Sequence, residues 1–152
     1  MTVNSDLKHA ERHCQEVGAR LTDKRKRILT ALLKSKKAMS AYELAEYCRS
    51  EFNETFPVMS IYRILDFLQG ENLVHKLQLA NKYIACSHIS CEHAHEVPQF
   101  LICGDCGQVK EIGLKNSVID SLKTSVQNAG FVLRKTQLEL QCLCQNCSSH
   151  AV

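Results

Sequence analysis

The sequence predicts an α+β chain of two unlike parts: helices closed by a short hairpin, then strands around one helix with thiols at both ends. Three observations carry this. Apolar residues recur at helical spacing through the first 70 residues, then give way to short strand-like runs. Cysteine is concentrated late, with seven of the nine at or after Cys86. Charge is distributed the other way: residues 1–85 carry 14 Lys and Arg against 10 Asp and Glu, whereas residues 86–152 carry 5 against 6.

The elements follow in order. A first helix runs from about Asp6 to Val17, with Gly18 as its stop. Thr22 is a good N-cap for a second, whose stripe is Ile28, Leu29, Leu32 and Leu33. Ser40 caps a third, Glu43 completes a capping box, and Leu44, Tyr47 and Cys48 supply its apolar face. Pro57 suits the first turn of a fourth helix ending near Gly70. The runs Leu73 to Leu79 and Lys82 to Cys86, joined by Ala80-Asn81, read as a hairpin. Helices followed by such a hairpin form a winged helix-turn-helix, here residues 1–86. On the fourth helix Ile61, Ile64, Leu65 and Leu68 share one face, and Arg63, flanked by Met59 and Tyr62, points roughly opposite. A helix packed by one face and offering Arg and Tyr on the other can enter a major groove. An ordinary surface arginine beside a half-buried tyrosine gives the same pattern.

The second part is built differently. Phe100-Leu101-Ile102 and Val109 to Ile112 are strand-like around Cys103-Gly-Asp-Cys106. Leu114 to Ala129 reads as a helix with Ile119, Leu122 and Val126 as its stripe and Gly130 as its end. Phe131 to Leu143 alternates like a strand and leads into Cys144-Gln-Asn-Cys147. Each Cys-x-x-Cys pair brings two thiolates within reach of one tetrahedral ion, and two pairs fill the four positions of a structural zinc. The 37 residues between the pairs make such an ion a staple across a whole substructure. A single cysteine is often only a small buried hydrophobe, and a disulfide is the other reading of a pair. Two pairs in one chain point to metal, with Cys142 open as a replacement for Cys144. The domains expected are 1–86, a linker or metal-binding loop over 87–98 rich in His and Glu, and 99–152 holding the four-cysteine zinc.

Composition narrows the function. Hydrophobic content of 45% and charge of 23% are those of a soluble globular protein. No apolar run reaches the roughly 20 residues of a membrane helix. The N-terminus has neither the basic nor the apolar region of an export signal. Nine cysteines without such a signal imply a reducing, cytoplasmic setting. No His-Glu-x-x-His pattern, Gly-rich phosphate loop or serine triad signature is present, so no enzyme is expected. From Arg20 to Lys37 eight bases stand against one acid, Asp23. That run fits either a solvated helix face or a nucleic-acid partner. Lys24 and Arg25, near the helix start, are the candidates for phosphate contact.

Residues 57–68, Pro-Val-Met-Ser-Ile-Tyr-Arg-Ile-Leu-Asp-Phe-Leu, resemble the recognition helix of the ferric uptake regulator family, whose pattern is close to Thr-Val-Tyr-Arg-x-Leu. Arg20-Leu21-Thr22 with Arg25 resembles the start of that family's second helix, although Asp23 stands where a proline is usual. Leu73-Val74-His75-Lys76 and Cys103-x-x-Cys106-Gly107 follow in the same order, so the resemblance covers nearly the whole chain. Ser40-Ala41-Tyr42-Glu43-Leu44, Leu65-Asp66-Phe67-Leu68 and Val74-His75-Lys76 are most similar to the family's zinc uptake regulators.

The resemblance implies a C-terminal α/β dimerisation domain and a homodimer that binds AT-rich palindromic operator DNA when metal-loaded. It implies that Ser60, Tyr62 and Arg63 face DNA. It also implies a second, regulatory zinc site. His75, Cys86, His88, Cys91, His93, His95 and Glu111 are its candidates. The resemblance selects His75, Cys86, Glu111 and one of His93 and His95, two histidines whose spacing before Cys103 departs from the family. Closure of these ligands around one ion would set the angle between the DNA-reading part and the dimer core. Two recognition helices must then reach major grooves roughly 34 Å apart. A thiolate at Cys86 favours zinc over iron. Another metal- or peroxide-sensing regulator of the same family, or a thiol redox switch at Cys103 and Cys106, is the alternative.

Overall fold

A computed structural model describes residues 2–87, 89 and 98–150, the His150 side chain excepted. The chain divides into two units, Met1–Glu92 and His93–Val152.

The first unit begins with α1 (Val3–Glu16), α2 (Asp23–Ser35), α3 (Ala41–Phe52) and α4 (Val58–Gly70). Local chemistry sets their ends. Thr2 caps α1 by accepting from the Ser5 amide at 3.3 Å, so this helix starts three residues before the predicted Asp6. Thr22 accepts from the Arg25 amide at 3.4 Å and Ser40 from the Glu43 amide at 3.1 Å, as their cap positions predict. Asn53 ends α3 at φ 52°, a left-handed conformation that asparagine tolerates. Pro57 stands at the N-cap of α4 rather than in its first turn, with φ −60°.

The hairpin β1 (Val74–Leu77) and β2 (Lys82–Ala85) is antiparallel, with His75 opposite Ile84. Its connection spans residues 78–81, longer than the predicted two-residue turn, with Asn81 at φ 50°. Met39 and Tyr83 exchange backbone hydrogen bonds of 2.9 and 2.8 Å, which ties the segment before α3 to the hairpin. The core is continuous: Ile28, Leu29, Leu44, Ile61, Leu65, Leu68 and Val74 are all fully buried in one cluster. Cys14 and Cys48 belong to it, and burial pushes the Cys48 thiol up to about 11. Both act as small hydrophobes.

The second unit contains β3 (Pro98–Cys103), β4 (Val109–Gly113), α5 (Asn116–Asn128), β5 (Leu138–Cys142) and α6 (Gln145–His150). Its sheet has the order β4-β3-β5, with β3 antiparallel to β4 and parallel to β5. Parallel neighbours need a crossover, which α5 supplies. Fully buried Gln99 fixes where β5 begins: its amide donates to the Thr136 carbonyl at 2.8 Å and its oxygen accepts from the Leu138 amide at 2.6 Å. The strand predicted from Phe131 therefore starts at Leu138. Phe131 and Val132 have the alternating chemistry of a strand but are 71% and 82% exposed. The short helix α6 has no counterpart among the predicted elements, because six residues are too few for a periodicity to emerge.

Candidate metal centre and nucleic-acid interface

The candidate metal centre is assembled by two turns. Leaving β3, the chain makes a knuckle in which Cys103 donates its amide to Gln108 at 2.9 Å and accepts from Gly107 at 3.0 Å. Gly107 takes φ +77°, a left-handed value that the knuckle requires and glycine adopts without strain. Gly104 donates to the Cys142 carbonyl at 2.9 Å, bringing the knuckle against the end of β5. An added Cβ there would lie 3.3 Å from the Gln141 side-chain nitrogen. The second pair opens α6, where the Ser148 amide donates to Cys144 at 2.8 Å.

The sulfurs of Cys103, Cys106, Cys144 and Cys147 all lie within 4.8 Å of one another, and the Cys106–Cys144 separation is 3.7 Å. Four thiolates at about 2.3 Å from a tetrahedral zinc would stand about 3.8 Å apart, so the donor set fits that ion. Electrostatics also suit a cation. Amides of Cys106 and Cys144 point at the Cys103 sulfur and hold its thiol down at about 6. Cys147, beside Cys144 and Cys103, is pushed up to about 12. One thiolate is readily formed while Cys106 and Cys147 resist, a conflict that a divalent cation relieves. Cys142 pairs in register with Cys103 across β3 and β5 and stands outside the four-sulfur cluster.

The other predicted ligands are spread along the chain. His75 lies on β1, and buried Cys86 follows β2, its amide donating to Leu73 at 2.9 Å. A ring nitrogen of His75 and the Cys86 sulfur lie within 4.8 Å. The hairpin therefore brings together a nitrogen and a sulfur donor separated by ten intervening residues. Glu111 lies on β4 in the second unit, opposite Phe100. His88, Cys91, His93 and His95 lie outside the described residues.

The candidate nucleic-acid face is on the first unit. Ile61, Ile64, Leu65 and Leu68 bury one side of α4 as predicted. Arg63 is exposed on the other side, and Ser60 and Tyr62 are half-buried beside it. Among the described residues no side-chain hydrogen bond or ion pair engages Arg63 or Lys24. The basic run is less uniform than its sequence suggests. Arg25 stacks on the Phe67 ring at 3.7 Å and donates to the Arg20 carbonyl at 2.7 Å, joining α2 to α4. Lys26 pairs with Glu11 at 3.4 Å and Arg27 with Glu54 at 2.9 Å. Lys24, Lys36 and Lys37 are exposed. Sequence reasoning missed these internal partners, since Phe67, Glu11 and Glu54 are all distant along the chain.

Comparison with known proteins agrees with this architecture. Residues 16–141 match the ferric uptake regulator family. The chain is 34% identical over 146 residues to the zinc uptake regulation protein of Escherichia coli (strain K12), covering 96% of this chain and 83% of that protein. Among solved structures, a zinc uptake regulator complexed with zinc and DNA superposes with a TM-score of 0.82 at 30% identity, covering 99% of this chain and 97% of that one. Holo XcZur gives 0.78 at 33% identity over 96% of this chain and 99% of that one. A winged helix-turn-helix, a four-cysteine cluster on a small α/β unit and a match over most of its length place this chain in the ferric uptake regulator family.

Proposed function

We propose that this chain is a zinc-responsive transcriptional repressor that binds operator DNA as a metal-loaded homodimer and controls zinc-uptake genes. The observation that carries the reading is the pairing of two features in one chain. One is a helix that buries Ile61, Ile64, Leu65 and Leu68 and presents Arg63. The other is thiolate chemistry in two separate places, four sulfurs at one and His75 with Cys86 on the wing at the other. The relatives named for zinc point the same way. The protein is a binding protein of the cytoplasm rather than an enzyme.

Cys103, Cys106, Cys144 and Cys147 hold a structural zinc, whose bonds to four thiolates cross-link segments far apart in sequence. The sensing set is His75 and Cys86, joined on the family resemblance by Glu111 and one of His93 and His95. A buried thiol at Cys86 makes this set softer than an all-nitrogen and oxygen one, which suits zinc. Arg63, with Ser60 and Tyr62, reads base edges, while Lys24 supplies phosphate contact. Arg25 contributes by holding α4 on α2. The homodimer uses the second unit, whose Val118, Phe131, Val132, Leu140 and Leu143 are exposed.

The test is Cys86→Ala. Zinc titration of DNA binding should lose its response in this variant, a change of about fivefold or more given the usual range of coupling. One zinc per chain and the dimer should survive. A variant that still tightens on operator DNA as zinc is added, at the same low zinc as the unsubstituted protein, would make Cys86 a packing residue. Parallel His93→Ala and His95→Ala variants identify the histidine, since only one should share the phenotype.

A further inference from the structure

Met59 occupies an unexpected place for a large apolar side chain. It is 67% exposed in the first turn of α4, and among the described residues no other large apolar residue of that helix is exposed. At about 100° per residue it stands about 40° around the axis from Arg63, one turn further toward the N-terminus. Both are opposite buried Ile61, Ile64, Leu65 and Leu68. Burial of core is therefore no reason for an apolar residue here.

We infer that Met59 is a specificity-determining residue that packs on a thymine methyl group of the bound duplex. The inference rests on the proposed function. In a helix-turn-helix the N-terminal residues of the recognition helix approach the base edges most closely. Arg63 then sits where a guanine edge or phosphate can be reached, and Met59 one turn deeper. In the major groove the one apolar group that distinguishes a base is the C5 methyl of thymine. The unbranched thioether has the length and rotamer freedom to lie against it. It offers no hydrogen-bond donor and only a weak acceptor to base edges, so the methyl is the feature it matches best.

The experiment uses the full-length, zinc-loaded protein and duplexes selected from a random pool. Each thymine of the selected half-site is replaced in turn by deoxyuridine, which removes the methyl and keeps the base pair. For the unsubstituted protein, one position per half-site should weaken binding about threefold to fivefold, the worth of one buried methyl group. Met59→Ala and Met59→Gln should bind the thymine duplex more weakly by a similar factor and be indifferent to uracil at that position. Met59→Leu should keep the discrimination. Because Met59 is exposed, these variants should fold and bind zinc normally. Uracil that is neutral at every position, or a Met59→Ala protein that still senses the methyl, overturns the inference alone. Failure to select any duplex in the presence of zinc overturns the proposed function and this inference together.

Discussion

The two units are held together by different means. In the first, Ile28, Leu29, Leu44, Ile61, Leu65, Leu68 and Val74 are fully buried in one cluster drawn from four elements. In the second, Phe100 and Gln99 are fully buried and Cys103 and Ile119 nearly so, while Phe131 and Val132 lie open to water. A segment this short exposes too much of its surface to be stabilised by an apolar core alone. Cross-linking thiols and a partner's surface are the usual substitutes. Helical packing thus gives the first unit a scaffold for the α4 side chains, whereas the second buries little of its own apolar surface among the described residues.

The sharpest test of this difference is Cys103→Ser. Structural zinc bound by thiolates contributes on the order of 10 kcal/mol to folding. The variant should lose zinc, dimer and hydrogen-exchange protection over residues 98–150, yet retain protection in α2 and α4. Full protection of β3 and β5 in a zinc-free protein would show that the sheet stands without the ion.

Leu65→Ala makes the complementary change. Removing a fully buried leucine should cost about 2–5 kcal/mol. Exchange should rise across α2, α3 and α4, and one structural zinc should remain. Equal loss of protection in both units would instead mean that the chain unfolds as one cooperative body.

A smaller effect separates sequence reading from general attraction on the first unit. Arg63→Ala should cost about 1–3 kcal/mol on the operator and relax preference at one position of each half-site. Lys24→Ala should weaken operator and scrambled DNA alike and lower the salt slope by about one. Titration of both variants on both duplexes at several salt concentrations compares them. Equal weakening by Arg63→Ala on the two duplexes, with normal zinc content, would move recognition away from α4.

The smallest effect concerns pH. Burial raises the Glu43 carboxyl, but the Lys82 ammonium at 3.1 Å and Ser40 outweigh it and hold the group below its ordinary value. The stabilisation is then complete above the ordinary carboxylate range and disappears as pH falls through the folded value. With the Glu43 side chain 49% exposed, solvent screens the pair to less than about 1 kcal/mol. Glu43→Gln should flatten the acid limb of a thermal-stability profile for the first unit by that amount. An unchanged profile would assign the acid limb to other carboxylates.

Much of the site could be read along the chain because its signals are local. The two Cys-x-x-Cys pairs are visible by spacing, and the caps at Thr22 and Ser40 need only a neighbouring amide. The stripe on α4 needs only helical periodicity, which also places Arg63 on the exposed side. Other features escaped because their partners are distant. Arg25 resembles its basic neighbours until Phe67, far along the chain, places a ring beneath it. Phe131 and Val132 alternate like a strand, but no neighbouring strand reaches them.

Sequence alone therefore pointed to a change of character along the chain, the four cysteines that cluster, the helix caps and the exposed face of α4. Each depends on residue type and on distances of a few positions. Tertiary structure decided the rest. It made Cys14 and Cys48 core residues and left Cys142 outside the cluster, though all carry the same thiol. It started β5 at Leu138, where buried Gln99 meets the backbone amide. It brought His75 and Cys86 together across the wing and converted part of a basic run into internal contacts. The reason is physical: burial, ion pairing and coordination depend on which side chains meet in space, and those partners come from other parts of the chain.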